Sequence, residues 1–283
     1  MNNKIQKMTF SGFLFLSTAV LFIITFYPSM TILTSKWSAS EDYSHAFFTV
    51  PILLYMFWLD RGKIANGLGN GLVGMSLVLS SLLLYLFSLQ LQIPTAIFLA
   101  TMMTIVGIII YLSGVRVLKD LAIPVLLLFL LIPIPNQLLS MVTATLQLMV
   151  SQVSEMVAKL FAIPMFREGN VLHLSGKTFM VEEACSGIRS LISLSTLSLI
   201  VGYFTLIRWQ SIALLFLLSV PVAIFINIIR VVSLVLIYEW FAIDLSEGTP
   251  HTVSSLVLFV VGLGLLLIFQ RILESWETTN KRG

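Results

Sequence analysis

Residues 210–237 read QSIALLFLLSVPVAIFINIIRVVSLVLI, an apolar run in which Arg230 is the one charged side chain. A helix needs about 20 such residues to cross the roughly 30 Å hydrocarbon core of a bilayer. Similar runs recur along the 283-residue chain, which is 58% hydrophobic and only 10% charged. We therefore expect an all-α polytopic membrane protein, with one integral membrane domain over residues 1–283.

Eight apolar runs, separated by charges or turn residues, predict eight transmembrane helices. They cover residues 9–28, 45–59, 70–89, 95–113, 119–135, 186–206, 210–237 and 251–270. Cytoplasmic loops collect lysine and arginine, so we take the N-terminal lysines to be cytoplasmic. Alternation then places ten of the sixteen basic residues on that side: Lys4, Lys7, Arg61, Lys63, Arg116, Lys119, Arg208, Arg271, Lys281 and Arg282. Both termini are expected in the cytoplasm.

The segment from Gln137 to Phe161 is long enough to span a membrane but carries several polar residues. A crossing here would move Arg208 and the basic C-terminal cluster to the outside. We therefore expect an amphipathic helix on the outer face, either interfacial or re-entrant. Alternating residues at 171–174 and 178–181, around Ser175-Gly176, next predict a short β-hairpin before the cysteine.

Residues 181–190 read VEEACSGIRS and contain Cys185, the single cysteine of the chain. One cysteine excludes an internal disulfide, and the three histidines are too scattered to indicate a metal site. No cofactor and no nucleic-acid partner are expected. Cys185 lies at or just before a predicted helix, where the helix dipole and nearby Arg189 would favour the nucleophilic thiolate.

Helix length places three polar side chains at similar depth. At about 1.5 Å per residue, Cys185, Arg230 and His251 lie roughly 31, 30 and 28 Å from the cytoplasmic ends of their apolar runs. All three depths correspond to the outer boundary of the membrane. A thiol, a guanidinium and an imidazole could therefore meet in one site if the three late helices are neighbours.

The surroundings of these residues suggest roles for them. Thr249 and Pro250 are predicted as N-cap and first helical residue, so His251 lies in a first turn that keeps its imidazole neutral for proton transfer. Arg230 costs at least about 2.5–3.5 kcal/mol inside the membrane, which a bound oxyanion or carboxylate would offset. Asn227, on nearly the same helix face, could add a donor.

Each of these residues also has a purely structural interpretation. A lone cysteine in a membrane helix is commonly an apolar filler, and Arg230 could snorkel to the headgroups. His251 could be an interfacial residue without a task, and Arg189 is more readily a first-turn ion-pair partner than a catalytic group. His45 is another candidate base, at the outer edge of the second predicted helix.

Three blocks of this sequence resemble the exosortase and archaeosortase family. They are Glu183-Ala-Cys-Ser-Gly-Ile-Arg-Ser-Leu191, Asn227-Ile-Ile-Arg230 and Glu247-Gly-Thr-Pro-His251, and the resemblance runs from about residue 43 to residue 262. The family consists of polytopic prokaryotic membrane enzymes that are thought to be cysteine transpeptidases. Their substrates are exported, membrane-anchored proteins with a C-terminal sorting signal, made of a short motif, a transmembrane helix and a basic tail.

The resemblance implies that Cys185 is the nucleophile, Arg230 the transition-state stabiliser and His251 the proton-transfer partner. Supporting or substrate-binding roles fall to Glu183, Ser186, Arg189, Asn227 and His45. The site would lie on the periplasmic or extracellular side of the prokaryotic cell (inner) membrane. A thioester acyl-enzyme would then be released to a lipid or glycan amine by a transpeptidase, or to water by a protease.

Two other function classes remain open from the sequence. The first is a glycan or lipid transporter or flippase, in which Arg189 and Arg230 line the bundle and bind anions. The second is a membrane acyl- or glycosyltransferase that uses His251 and a carboxylate such as Glu183. The recognition motif, the acceptor and the oligomeric state have no readable signal in the sequence.

Overall fold

The structure, a computed structural model, describes residues 2–65, 69, 71–181, 187–246 and 248–279; for residues 2–19, 41 and 65 it describes the backbone alone. The chain forms two compact units, Met1–Pro133 and Ile134–Gly283. Each is described by itself below. The prediction of a single integral membrane domain stays a prediction.

The described part of the first unit is helical. Its α-helices are α1 (Asn2–Ala39), α2 (Ala46–Leu59), α3 (Arg61–Ala65), α4 (Gly71–Gln90), α5 (Pro94–Ser113), α6 (Val117–Asp120) and α7 (Ala122–Leu130), with a 3₁₀ turn at Glu41–Tyr43. Apolar residues buried in this unit include Phe26, Tyr85 and Phe98.

Helices α4 and α5 form a closely packed antiparallel pair. A Cβ atom on Gly74 would lie 2.3 Å from the backbone of Tyr111, so only glycine fits between the two helices there. Farther along the pair, the hydroxyls of Ser81 and Thr104 are hydrogen-bonded at 2.8 Å and buried. Small residues let membrane helices approach, and buried hydroxyl pairs join them.

The second unit carries the sheet and the late helices. Its elements are α8 (Asn136–Leu160), β1 (Phe166–Glu168), β2 (Val171–His173), β3 (Thr178–Met180), α9 (Ile188–Thr205), α10 (Trp209–Phe241) and α11 (Gly248–Thr279). The three short strands form one antiparallel sheet in the order β1-β2-β3. Strands β2 and β3 lie at the positions of the predicted hairpin, and β1 is a strand that the sequence did not predict.

Five of the described helices are long and apolar enough to cross a membrane: α4, α5, α9, α10 and α11. The protein is therefore a multi-pass membrane protein. Helices α2 and α7, which correspond to two further predicted crossings, have only 14 and 9 residues. That is shorter than the roughly 20 residues an untilted crossing needs, so the predicted number of eight stays a prediction.

Helix α8 is not among these five candidate spans. Its serines Ser151 and Ser154 are buried while Met141 and Leu160 are exposed, so the helix presents an apolar face away from its packed side. The packed side holds the sheet: Ser151 Oγ donates to the Gly169 carbonyl at 3.0 Å, and Arg167 Nε donates to Glu155 at 3.2 Å.

Helices α9, α10 and α11 pack together as a bundle. Leu194 of α9 and Ile226 of α10 belong to one buried cluster, against which Leu258 of α11 packs. At the turn between α9 and α10, the buried carboxylate of Glu277 accepts hydrogen bonds from the backbone N–H groups of Ile207 and Arg208 at 2.9 and 3.0 Å. These donors precede the first turn of α10 and would otherwise lack acceptors. The late helices are therefore neighbours, as the sequence argument required.

Candidate active site

The start of α9 is fixed by close contact with α10. Gly187 is the N-cap of α9 and has a φ of +84°, a left-handed conformation that costs other residues about 1–2 kcal/mol. A Cβ atom at this position would lie 2.6 Å from Cγ of Asn227 and 2.8 Å from its Cβ. Glycine is thus required both by conformation and by space. The chain two residues after Cys185 consequently rests directly on the Asn227 side chain.

Arg230 lies one turn beyond Asn227 and is bonded to it. Its Nη2 donates to Oδ1 of Asn227 at 2.6 Å, within the buried interior of the bundle. The two side chains are only 8% and 3% exposed, which makes this an unusual burial of a guanidinium in an apolar helix. Because Oδ1 accepts the bond, the amide Nδ2 of Asn227 points elsewhere, and it has no hydrogen-bond partner among the described residues.

The segment of α10 just beyond Arg230 is covered by protein. Val231 and Val235 pack in a buried cluster with Leu172 of β2, Phe179 of β3 and Val181. Helix α8 contributes Val150 and Ala158 to the same cluster. The sheet is thus held against α10 close to Arg230. Its last strand leads toward residues 183–191, the cysteine block.

His251 lies in the first turn of α11, as predicted, and is half-buried. The helix begins at Gly248, two residues before the predicted start, so the predicted N-cap Thr249 is already helical. Ser254 Oγ donates to the His251 carbonyl at 2.9 Å, within the helix. His251 therefore lies at the end of the bundle that also contains the start of α9.

The contact between α10 and α11 gives the relative level of His251 and Arg230. A Cβ atom on Gly262 would lie 3.3 Å from Cγ1 of Ile226, so these two positions share one layer. At about 1.5 Å per residue, Arg230 lies roughly 6 Å beyond this layer and His251 roughly 16 Å beyond it. Along the helix axes, the histidine is therefore about 10 Å farther out than the arginine.

A second contact gives a similar but smaller offset. Glu277 is level with Arg208. Counted along the two helices from that layer, His251 lies about 6 Å farther than Arg230. The sequence estimate of equal depth counted from Gln270, where the apolar run ends. The helix itself continues to Thr279, so Gln270 is not its C-terminal end.

Several predicted site residues lie outside the described residues: Glu183, Cys185 and Ser186. Arg189 is described in the first turn of α9 and is exposed. The structure thus places Asn227, Arg230 and the end of the cysteine block together, with His251 farther along the same end of the bundle. The roles assigned to these residues stay predictions.

His45 belongs to the first unit and is the N-cap of α2. Its Nδ1 lies 3.1 Å from the carbonyl oxygen of Asp42, and its ring stacks near Tyr43 with centroids 6.4 Å apart. The role of His45 as a supporting base stays a prediction.

Gly187 is a site residue that sequence reasoning overlooked. A glycine immediately before an apolar helical run is a recognised N-cap signal, and this one follows Cys185-Ser186 directly. Its partner on α10 has no local signal, because the contact depends on the register between two helices.

The chain was compared with known proteins. A family model described as transmembrane exosortase matches residues 37–268, which is most of the chain. No curated protein and no solved structure gave a match. The matched region contains the cysteine block, the Asn227 to Arg230 turn and His251. The chain therefore belongs to the transmembrane exosortase family.

Proposed function

We propose that this protein is a membrane cysteine transpeptidase or protease that cleaves C-terminal sorting signals of exported proteins. Cys185 is the nucleophile, Arg230 stabilises the oxyanion and His251 transfers the proton. The observation that carries the proposal is a buried guanidinium bonded to Asn227, the side chain that contacts the glycine two residues after the cysteine. A buried cation in an apolar helix points to an anionic ligand or transition state.

Chain connectivity supports the pairing of thiol and guanidinium. Consecutive Cα atoms are 3.8 Å apart, so chain connectivity keeps the Cα atom of Cys185 within about 7.6 Å of the Cα atom of Gly187. The Gly187–Asn227 contact continues the register of α9 and α10, in which Gly202 packs on Ile212 and the hydroxyls of two facing serines bond. Three more residues along α10 reach Arg230.

The first chemical step forms an acyl-enzyme. The Cys185 thiolate attacks the carbonyl carbon of the scissile peptide bond, and the carbonyl oxygen becomes an oxyanion facing the Arg230 guanidinium. Collapse of this intermediate breaks the C–N bond, and the leaving amine takes a proton from the imidazolium of His251, which had received the proton of the thiol. A thioester remains on the sulfur.

The second step releases the product. An amine of a lipid or glycan acceptor, or a water molecule, gives its proton to His251 and attacks the thioester carbon. A second oxyanion forms and collapses, which breaks the C–S bond and regenerates the thiolate. The farther position of His251 along the bundle suits a group that serves the leaving and entering nucleophiles, while Arg230 faces the oxygen.

The proposed topology places this chemistry outside the cytoplasm. Eight crossings, with Lys4 and Lys7 on the cytoplasmic side, put the Arg230 end of α10 at the periplasmic or extracellular face of the inner membrane. Helix α8 and the sheet then lie at that outer face, consistent with the absence of α8 from the candidate spans. The substrate's transmembrane helix would dock in the bilayer and present its juxtamembrane peptide bond to the site.

The test uses a membrane-anchored reporter that ends in a candidate sorting signal from the same genome. Cys185→Ala, Arg230→Gln and His251→Asn should each lower processing by at least about a hundredfold while the protein stays in the membrane. Arg271→Gln and His173→Asn are matched controls, since Arg271 pairs with Glu274 at an exposed position and His173 makes an exposed contact with the Thr178 hydroxyl at 3.2 Å. They should leave processing unchanged.

The rival classes give different patterns. A transporter or flippase tolerates Cys185→Ala and is sensitive at Arg189 and Arg230. A transferase that relies on His251 and Glu183 keeps activity without the thiol and loses it with Glu183→Gln. Unaltered processing by Cys185→Ala would refute the cysteine mechanism.

A further inference from the structure

The turn between β2 and β3 is bonded to the loop between α10 and α11. Lys177, the last residue of this turn, forms an ion pair through Nζ with the carboxylate of Asp244 and donates to Ser246 Oγ at 3.2 Å. Asp244 Oδ1 in turn accepts the backbone N–H and the hydroxyl of Ser246, at 2.9 and 2.6 Å. The loop is thereby folded around the carboxylate that holds the lysine.

Aromatic rings support the same contact. Lys177 Nζ lies 5.0 Å from the ring centroid of Phe179 and 6.0 Å from that of Tyr238, near the end of α10. The two rings meet edge to face with centroids 5.2 Å apart. The lysine side chain is only 27% exposed, so its charge is less screened than that of a typical surface lysine.

The ion pair is intact at neutral pH. Hydrogen bonds from Lys177, and then from Ser246, hold the pKa of the Asp244 carboxyl at about 2, below its ordinary value of 3.8. A depressed carboxyl pKa means that this contribution to stability is fully present above about pH 4 and is lost as the pH falls toward 2. Protonation of Asp244 therefore plays no part under physiological conditions.

The position of the pair in the sequence gives it significance beyond the sheet. Lys177 precedes Cys185 by eight residues, along β3, and Asp244 precedes His251 by seven, along the loop into α11. We propose that Lys177 and Asp244 are positioning residues, which hold the chain leading to the nucleophile against the chain leading to the proton-transfer histidine. This inference rests on the proposed function.

The effects on folding and on rate should differ. Ion pairs near the protein surface contribute little to the free energy of folding, so loss of this one leaves the protein folded. A displacement of about 1 Å between reacting groups, however, can lower a rate by up to about a hundredfold. A positioning role thus predicts slow processing by a protein of near-normal stability.

The single cysteine allows a test without substrate. In a His251→Cys background, the chain has two thiols, and an intramolecular disulfide between residues 185 and 251 can form only if their Cα atoms approach to about 7 Å or less. Copper phenanthroline oxidation of the full chain in detergent, followed by a gel-shift of free thiols, gives the rate. Lys177→Met or Asp244→Asn should slow it about tenfold.

Two further variants separate positioning from general damage. Exchange of the two charges, Lys177→Asp with Asp244→Lys, should restore most of the cross-linking rate. Lys159→Met removes an ion pair with Glu155 on α8 and should leave the rate unchanged. In the native background, the same variants should lower turnover of the reporter without changing the substrate concentration at half-maximal rate.

The outcomes distinguish this inference from the proposed function. A cross-linking rate in Lys177→Met equal to that of the parent, or a failure of the charge exchange to restore it, overturns the positioning role alone. No cross-link with the ion pair intact shows that the two chain segments are not held together at residues 185 and 251, which overturns the positioning role. The proposed function fails by a different result, unaltered processing of the reporter by Cys185→Ala.

Discussion

The α4–α5 pair in the first unit and the α9–α10 pair in the second share the same construction, except at the end where α9 begins. Both are antiparallel, both are joined by three-residue turns and both bring a glycine against the facing helix. Each also has a buried hydroxyl pair near its middle, Ser81 with Thr104 and Ser195 with Ser219.

The pairs differ where α9 begins. In α4–α5, Gly74 packs on the backbone of Tyr111. In α9–α10, Gly187 packs on an amide side chain that is bonded to a buried guanidinium. The same close approach that joins two helices in the first unit therefore positions a charge in the second. Packing of this kind explains stability in one pair, and we propose that it serves catalysis in the other.

The largest effect is expected from a methyl group at the two glycines. Gly187→Ala places a Cβ on Asn227 and a side chain in left-handed backbone, so processing of the reporter should fall by about a hundredfold or more. Gly74→Ala forces the α4–α5 backbones apart and should lower the free energy of unfolding by about 1–3 kcal/mol. Thermal unfolding in detergent and reporter processing measure the two effects.

Gly264→Ala is the matched control, because a Cβ there meets no atom within 4 Å. It should leave stability and processing near the parent values. Equal loss of processing in the Gly74 and Gly187 variants, at equal stability loss, would contradict the distinction between the two helix pairs.

An intermediate effect is expected from Asn227. Asn227→Leu removes the Oδ1 atom that accepts the hydrogen bond of Arg230 Nη2, and should destabilise the protein by about 1.5–3 kcal/mol, besides lowering processing. Asn227→Asp keeps an acceptor for Arg230 but neutralises its charge, so stability should be retained while processing falls. Unfolding and processing assays on both variants separate the structural part of the contact from its electrostatic part. Full processing by Asn227→Asp would argue against an oxyanion role for Arg230.

The smallest effect is expected from the hydroxyl pairs. Hydrogen bonds between membrane helices contribute about 0.6 kcal/mol on average, so Ser81→Ala and Ser195→Ala should each lower stability by roughly that amount. Double-mutant cycles with Thr104→Val and Ser219→Ala measure the coupling within each pair. The two coupling energies should be alike. Neither single change should lower processing beyond the loss expected from its small loss of stability. A much larger coupling in one pair would break the analogy.

Much of the helix arrangement could be predicted from hydropathy and charge. The runs 70–89, 95–113 and 210–237 lie within a few residues of α4, α5 and α10, because each apolar run ends at turn residues or charges. Hydropathy detects contact with lipid, however, and not the end of a helix. It therefore missed the last turns of α10 and the polar extension of α11 to Thr279, and with them the axial offset of His251.

The residue types of the site could be predicted from the sequence, but the contacts between them could not. A lone arginine in an apolar helix and an amide one turn earlier stand out in the sequence, and the structure bonds them. The Gly187–Asn227 contact and the Lys177–Asp244 ion pair join residues 40 and 67 positions apart, which no local pattern indicates. Strand β1 was missed for the same reason, since three residues form a strand only through their partner.

The carboxylate of Glu277 has a consequence for biogenesis. Ribosomes translate Ile207 and Arg208 long before Glu277, so the backbone donors at the α9–α10 turn wait for an acceptor until α11 has been inserted. Insertion of α11 therefore completes the hydrogen bonding of the turn between α9 and α10. Chains truncated before Glu277 should therefore be more sensitive to protease at this turn than the 283-residue chain.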